Sequence, residues 1–406
     1  MGKRTSKILT ILLSIVTFMG VMSFSTSQNV ELSLRAEESK AETLEETSIQ
    51  QIDFNAEYEQ NEYLDIYGRT YYDAEADGIV LWNSASGFEV RFVGTKLTVN
   101  WYSGIAKIES RGCSWFSIFV DGATDSNAHV VKVDSTTQYV DQTVISGLSE
   151  GEHTVCVLKR TASNAGECYV SSIKTDGEFK KVEQDTRLKI EVYGDSITVG
   201  SGILRNVYWS ESSNKYIDDG NYNNEVQNVF QSYIGYAAQN LNARLNVYGR
   251  GGIAMKYGGT GAKNIMDNYN AIHVDADPEE LPYDYASYTP DVIVIGLGTN
   301  DYNLGRTRGV YSVEGLKAGF EQFIREVIGR NYGKDIPIFL CVGQMFPTAR
   351  LPEHMEDIAS RLIEEFPNIE AVGFDACYAG HPIAEEGEVA GKKLSDAITA
   401  KLNALK

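Results

Sequence analysis

The hydrophobic residues of this 406-residue chain follow two different periods, and the change near residue 180 strongly constrains its fold. Between Asn55 and about Glu178, apolar and polar residues alternate over five to six positions, and β-branched and aromatic residues are frequent. This pattern is typical of half-buried strands. Because turn residues separate the runs and no convincing helical pattern lies among them, we predict an all-β sandwich or jelly roll over residues 51–180. The clearest runs are at residues 79–82, 88–92, 97–101, 115–120, 153–159 and 168–173.

From Leu188 onward, short apolar runs alternate with amphipathic stretches of helical period. This alternation predicts a parallel sheet covered by helices on both faces, a three-layer α/β/α domain at residues 186–406. Ligands of such sheets bind beyond the carboxyl ends of the strands, so the residues that follow each strand are candidates for a site. We predict strands at 188–193, 244–248, 292–296, 336–342 and 369–374, and helices near 230–242, 314–330, 354–365 and 383–405.

The first thirty residues have the organisation of a secretory signal. Three basic residues within the first seven positions precede an uncharged, largely apolar stretch at 8–24, and small residues follow it. We predict a signal peptide over residues 1–25 and an acidic, flexible tether over residues 26–50, which has too few large apolar residues to form a core. The protein is then secreted, with no stable membrane association after cleavage. If the apolar stretch is retained, it anchors the protein at the cell surface.

Charge and cysteine content exclude several classes of protein. The chain has 36 Lys and Arg against 56 Asp and Glu, a net charge of −20, so a nucleic-acid backbone would be repelled. The five cysteines are an odd number, so at least one is free or pairs between chains, and no disulfide framework is expected. Neither the cysteines nor the five histidines have the spacing of metal ligands, and we predict no metal and no other cofactor.

The first predicted strand of the second half ends in Gly-Asp-Ser-Ile-Thr at residues 194–198. A serine in a tight turn after a buried strand presents its hydroxyl in the open and aims its backbone N–H at the group that the hydroxyl attacks, as a nucleophile requires. The alternative is a serine that caps a helix. Thr198 occupies the place of the second glycine of G-x-S-x-G, which disfavours an α/β-hydrolase elbow.

Three later strand ends carry groups that complement a nucleophilic serine. Gly251 and Gly252 lie in a glycine turn after the second strand, where the main chain can approach a substrate and present an N–H. Asn300 follows the third strand and has an amide that can donate to a developing oxyanion. His381 precedes Pro382 near the last helix, and a neutral imidazole there can accept the serine proton. Each residue alone has an ordinary alternative as a turn, cap or surface residue, but four such motifs in order favour one site.

The order of these motifs resembles that of the SGNH (GDSL-type) hydrolases, whose blocks are GDS, a glycine, GxND and a late histidine. Ser196, the glycine turn at 249–252, Asn300 and His381 match these blocks. The whole chain resembles carbohydrate esterase family 2 more narrowly, in which a jelly roll precedes the SGNH domain. Further matches lie at residues 68–70, 82–94, 232–233, 241–243 and 380–382.

The resemblance implies removal of acetyl groups from plant polysaccharides such as xylan or glucomannan, with a preference for esters of the sugar 6-hydroxyl. Ser196 would be the nucleophile and His381 the base of a two-step acyl transfer. The oxyanion would be held by the Ser196 N–H, by an N–H of Gly251 or Gly252, and by the Asn300 side chain. The alternatives are an SGNH esterase that acts on bacterial wall polymers, exopolysaccharides or lipid esters, and a carbohydrate-binding protein without catalysis.

The group that orients the imidazole stays open at this point. The wider family has an aspartate three residues before the histidine, and Tyr378 occupies that position here. Members of family 2 imply that a backbone carbonyl can replace the aspartate, whereas Asp375 reaches His381 only if the intervening loop folds back. Some orienting group is needed because it fixes the tautomer of the ring. Asp195 and Asp301 are expected to brace turns rather than react.

Overall fold

The computed structural model describes residues 50–104, 112–258 and 264–406. The signal peptide and almost all of the tether predicted for residues 1–50 lie outside the described residues. The chain from Ile49 to Lys406 is one compact unit. In the described ranges, every helix is too short or too polar to cross a membrane. None of the five cysteines is disulfide-bonded, and four of them are buried.

Short antiparallel strands fill the described part of the first half and form two sheets. They are β1 (Gln51–Asp53), β2 (Asp65–Tyr67), β3 (Thr70–Asp73), β4 (Gly78–Leu81), β5 (Gly87–Val93), β6 (Lys96–Ser103), β7 (Trp115–Val120), β8 (His129–Lys132), β9 (Val140–Ser146), β10 (Glu152–Lys159), β11 (Cys168–Thr175) and β12 (Glu178–Lys180). One sheet has the order β3-β4-β11-β6-β9, with β1 paired to β11. The other has the order β12-β5-β10-β7-β8, with β2 paired to β5.

Alternating residues of these strands build the core between the two sheets. On β6, Leu97, Val99 and Trp101 are fully buried, whereas the residues between them are partly exposed. They share one hydrophobic cluster with residues of the other sheet, such as Phe88 and Phe116. From β4 to β7, each successive strand lies in the opposite sheet, as expected for a jelly roll. The all-β sandwich predicted from the alternation is therefore confirmed.

The second half contains a five-stranded parallel sheet with the order β16-β13-β17-β18-β19. Its strands are β13 (Leu188–Gly194), β16 (Ala243–Gly249), β17 (Val292–Gly296), β18 (Ile338–Val342) and β19 (Ile369–Gly373), and they confirm the five predicted strands. A two-stranded hairpin, β14 (Val207–Ser210) and β15 (Lys215–Asp218), was not predicted. Its four-residue strands are too short and too exposed to produce a clear periodic pattern.

Helices cover both faces of the parallel sheet. On β17, Val292 and Val294 belong to one hydrophobic cluster and Ile293 and Ile295 to another, because successive side chains of a strand point to opposite faces. The helices are α1 (Tyr233–Leu241), α2 (Ile265–Asn268), α3 (Thr299–Thr307), α4 (Val313–Phe323), α5 (Gly329–Asn331), α6 (Leu351–Leu362) and α7 (Ala384–Ala404), with a π-helical turn at Ile324–Ile328. Helices α1 and α7 pack on the first cluster, and α4 and α6 pack on the second. The predicted α/β/α class is confirmed.

Short 3₁₀ helices lie at Tyr58–Gln60, Asp125–Asn127, Ser163–Ala165, Asn224–Val226, Val229–Gln231, Tyr285–Ser287 and Pro347–Ala349.

A buried ion pair joins the two halves of the chain. Arg69, between β2 and β3, places its Nη2 atom 2.6 Å from Oε1 of Glu191 on β13, and both side chains are inaccessible to solvent. The guanidinium carbon lies 4.3 Å and 3.7 Å from the ring centroids of Tyr248 and Tyr283. Its Nη1 donates to the carbonyl of Ala271 at 3.1 Å. Because a buried charge is costly without a partner, this pair ties the sandwich to strand β13 of the parallel sheet.

The sandwich also holds the segment that leads into α1. Arg160 Nε donates to the carbonyl of Gln227 at 3.0 Å, and Asn228 Nδ2 donates to Asp125 Oδ2 at 2.8 Å. Arg160 and Asp125 belong to the first half of the chain, and both are buried. The path of the chain between β13 and α1 therefore depends on the sandwich.

We expect Glu191→Leu to lower the free energy of unfolding by about 3–5 kcal/mol, because it leaves the Arg69 guanidinium buried without its counter-charge. The double variant Arg69→Met with Glu191→Leu removes both charges and should recover most of that loss. The urea-unfolding midpoint measures both effects. Asp396→Asn breaks an exposed pair with Lys392 and serves as the control, with a change below about 0.5 kcal/mol. A wild-type midpoint for Glu191→Leu would show that the pair does not hold the two halves together.

Candidate active site

Ser196 lies in the tight turn that follows β13. The Ser201 N–H donates to the Ser196 carbonyl at 2.9 Å, and the Ile197 N–H donates to Oδ1 of Asp195 at 2.9 Å. Only glycine fits at Gly194, since an added Cβ would lie 2.1 Å from the Thr198 hydroxyl oxygen. The Thr198 hydroxyl in turn lies 2.8 Å from the Tyr233 hydroxyl of α1. The strand end and the helix together determine how the serine is presented.

His381 meets Ser196 although 185 positions separate them in the chain. The His381 Nε2 atom lies 2.7 Å from the Ser196 Oγ atom, which is hydrogen-bond distance. Burial, and next the positive charge of Arg205, lower the pKa of His381 to about 4, against an opposing effect of Asp218. The imidazole is therefore neutral at neutral pH. A neutral imidazole whose Nδ1 carries the proton can accept a hydrogen bond from the serine hydroxyl through Nε2 and then take its proton.

Arg205 holds the loop that carries His381, and sequence reasoning missed it. This arginine is only 4% exposed. Its guanidinium donates to the carbonyls of Ala379 and His381, and to that of Pro382 at 3.1 Å. The Nε atom lies 3.4 Å from Oδ2 of Asp218 on β15. One buried guanidinium thus gathers three carbonyls of the histidine loop, a task that its rigid fork of donors suits.

Asp218 and Tyr222 complete the surroundings of the histidine and were also missed. The ring of Tyr222 contacts the His381 ring edge to face, with centroids 5.3 Å apart, and its hydroxyl lies 3.4 Å from Asp218 Oδ2. Like Arg205, both residues belong to the insert between β13 and α1. The available sequence signal was the density of aromatic and charged residues in that insert, and it does not indicate which loop they contact.

The predicted glycine turn lies beside Ser196. A Cβ built at Gly251 would be 3.7 Å from the Ser196 Cβ, whereas the next residue, Gly252, has open space around it and a φ of +86°. Asn300, in the first turn of α3, donates from Nδ2 to the Ile253 carbonyl at 2.9 Å. The same nitrogen lies 3.5 Å from Oδ2 of Asp195. Asn300 therefore links the glycine turn to the serine turn.

The two aspartates of the motifs make hydrogen bonds that hold loops. The carboxylate of Asp301 accepts the backbone N–H groups of Met255, Lys256 and Tyr257 at 2.6 to 2.8 Å. The carboxyl of Asp195 is buried below the serine turn, and burial raises its pKa to about 7. Both contacts are those of braces, in line with the role expected for these residues.

Asp375 makes no hydrogen bond or ion pair with the histidine among the described residues. Its side chain is exposed. The loop is directed elsewhere, because the Cys377 N–H donates to the Gln344 carbonyl at 2.8 Å and the Tyr378 N–H donates to Glu386 Oε1 at 2.5 Å. The geometry gives no support to Asp375 as a triad member, and orientation of the ring by a backbone carbonyl stays a prediction.

Two family models match the chain. The first, carbohydrate esterase 2 N-terminal, matches residues 66–182, and the second, GDSL-like lipase/acylhydrolase, matches residues 190–376. Together they span the antiparallel sheets except β1 and the first residue of β2, and nearly all of the parallel sheet.

Curated relatives match over part of their length. The chain is 33% identical over 270 residues to the cellulase/esterase CelE of Acetivibrio thermocellus, a match that covers 64% of this chain and 29% of that protein. It is 25% identical over 248 residues to an acetylxylan esterase / glucomannan deacetylase of Cellvibrio japonicus, covering 60% of this chain and 62% of that protein. The chain thus spans less than two thirds of the length of these relatives.

A solved structure matches almost from end to end. It is a family two carbohydrate esterase from Clostridium thermocellum in complex with cellohexaose, with 26% identity and a TM-score of 0.67. The match covers 84% of this chain and 99% of that one. The two halves described above therefore occur together in that protein.

The pH dependence of any reaction that uses His381 as a base should follow its low pKa. For hydrolysis of a small chromogenic acetate, the limb of the kcat/KM profile that reports His381 should fall as the pH drops through about 4, where the imidazole gains a proton. Arg205→Met removes a neighbouring positive charge, so it should raise the pKa of His381 and move this acid limb to higher pH.

Arg205→Lys keeps the charge but loses the fork of donors. It should leave the acid limb close to its wild-type position while lowering kcat, because the histidine loop is held less firmly. Arg330→Met, at an exposed arginine of α5, serves as the control. Identical acid limbs in Arg205→Met and the wild type would show that Arg205 does not affect the imidazole.

Proposed function

This chain belongs to carbohydrate esterase family 2, and we propose that it removes O-acetyl groups from plant polysaccharides such as xylan and glucomannan. The observation that carries the proposal is the 2.7 Å contact between Ser196 Oγ and His381 Nε2, beside the glycine turn at the end of the parallel sheet. A serine hydroxyl that is hydrogen-bonded to a neutral imidazole is the arrangement that acyl transfer to serine requires.

The first half of the proposed reaction acylates Ser196. Its hydroxyl attacks the acetyl carbonyl while His381 takes the proton, and the carbonyl oxygen becomes an oxyanion. The backbone N–H of Ser196, an N–H of Gly251 or Gly252, and the Asn300 amide are the proposed donors to that oxygen. Gly251 is supported by its position next to the Ser196 side chain, and Gly252 by the open space around it. His381 then gives its proton to the departing sugar hydroxyl.

The second half releases acetate. Water attacks the acetyl group on Ser196 while His381 again accepts a proton, and collapse of the tetrahedral intermediate returns that proton to Ser196. The low pKa of His381 favours return of the proton in each half, since the imidazolium is disfavoured by burial and by Arg205.

The proposed substrate is a neutral polysaccharide outside the cell. The relative from Cellvibrio japonicus is named an acetylxylan esterase / glucomannan deacetylase, and the similar structure holds cellohexaose, an oligosaccharide without acetyl groups. The charge of −20 favours a polymer without acidic groups. The signal-like sequence at residues 1–25 supports export, and esters of the sugar 6-hydroxyl are the proposed preference.

Ser196→Ala should lower the release of acetate from a small chromogenic acetate by at least about a thousandfold, because the nucleophile is lost. The urea-unfolding midpoint should stay close to that of the wild type. Ser201→Ala changes a neighbouring serine and should retain activity. Full turnover by Ser196→Ala, or loss of activity in Ser201→Ala alone, would contradict the assignment of the nucleophile.

Asp375→Asn should lower kcat by less than about tenfold, because the exposed carboxylate makes no contact with His381 among the described residues. Steady-state kinetics on the same acetate measures this effect, and Asp396→Asn on α7 gives the baseline for an exposed aspartate. A loss of several thousandfold would instead identify Asp375 as the acidic member of a triad.

A further inference from the structure

Three exposed aromatic rings form a row next to the histidine loop. Trp209 on β14 packs edge to face on Tyr216 of β15, with ring centroids 5.1 Å apart. Tyr216 stacks on Tyr378 of the histidine loop at 4.6 Å, with 22° between the ring planes. The three side chains are 44%, 39% and 56% exposed. We call Trp209, Tyr216 and Tyr378 the aromatic strip.

The register of the hairpin explains why two of the rings share one face. Trp209 pairs directly with Tyr216, so their side chains lie on the same side of the ribbon, together with Asp218 two positions further on. Asp218 contacts Arg205, which holds the histidine loop. Tyr208, which directly precedes Trp209 on β14, points to the opposite face and is 55% exposed. The side of the hairpin that carries the strip is thus the side linked to the catalytic histidine.

The third ring belongs to the histidine loop itself. Tyr378 lies three residues before His381, and the bond of its N–H to Glu386 fixes the main chain there. Tyr222, from the same insert as the hairpin, contacts the His381 ring. The aromatic strip therefore includes a ring of the same loop that carries His381.

The chemistry of the strip fits a neutral sugar chain. Adjoining exposed rings are uncommon on a protein surface and mark a binding site when they are contiguous. Tyrosine and tryptophan offer flat apolar faces with a polar edge, which suits the C–H faces and hydroxyl rims of sugar rings. They are also ordered at low entropic cost, because each has only two side-chain torsions. The net charge of −20 disfavours acidic polymers.

We propose that the aromatic strip is a subsite for the main chain of a neutral polysaccharide, binding sugar units next to the one that carries the acetyl group. This inference rests on the proposed function for the identity of the reaction. It adds that the enzyme recognises unacetylated sugar units beside the scissile ester, so that long substrates are favoured over short ones.

The test compares two substrates and two faces of one hairpin in the full-length protein. With acetylated glucomannan, Trp209→Ala should lower kcat/KM at least tenfold more than it does with a small chromogenic acetate, and mainly through KM. Trp209→Tyr keeps a ring, so its kcat/KM with acetylated glucomannan should fall less than that of Trp209→Ala. Tyr208→Ala, on the opposite face, should change kcat/KM for neither substrate by more than about twofold.

Binding is measured separately by electrophoresis in gels that contain deacetylated glucomannan or polygalacturonate. The wild type and Tyr208→Ala should be retarded by glucomannan and not by polygalacturonate, and Trp209→Ala should lose the retardation. The proposed subsite would be wrong if Trp209→Ala lowered kcat/KM equally for both esters, or if the Trp209→Ala protein were still retarded by glucomannan. If the wild type hydrolyses neither ester, the proposed function fails, and the gel experiment still decides whether the strip binds sugar.

Discussion

One buried ion pair, between Arg69 of the sandwich and Glu191 of β13, joins the two halves of the described chain. Neither charge has access to solvent, so each needs the other, and the rings of Tyr248 and Tyr283 lie against the guanidinium. Glu191 lies five residues before Ser196, on the strand that leads into the serine turn. The contact that joins the two halves therefore also holds the strand that presents the candidate nucleophile.

A second buried arginine, Arg205, positions the loop that carries the histidine. Arg205 binds the carbonyls of the histidine loop, and its charge disfavours protonation of the ring. In a Ser-His-Asp triad, a carboxylate both orients the imidazole and stabilises its protonated form. Here the loop is positioned by a cation acting through main-chain atoms. A base of low pKa is a weaker proton acceptor, but it stays neutral in acidic surroundings and releases its proton readily.

The insert between β13 and α1 both positions the histidine and carries part of the proposed sugar-binding surface. It carries Arg205, Asp218 and Tyr222 around the histidine, and it also carries two of the three rings of the aromatic strip. Its far end is held by the sandwich through Arg160 and Asp125. A sugar chain lying on the strip would therefore contact the same element that orients the base. This gives the sandwich a part in the site although it supplies none of the reacting groups.

The class of each half followed from the sequence alone, and the sequence alone also named the candidate residues Ser196, Asn300 and His381. Periodicity is local, so the alternation on β6 and the apolar run of β17 are visible without coordinates, and the motifs around Ser196, Asn300 and His381 follow strands that the same patterns predict. Only the tertiary structure revealed the contacts of Arg69 and Arg205 and the assembly of the aromatic strip. Nothing in a sequence distinguishes a buried arginine from an exposed one, and contacts across more than a hundred residues depend on the paths of loops that have no periodic pattern. For the same reason, the sequence places Asp375 six positions before the histidine but does not show that the described residues include no hydrogen bond between the two.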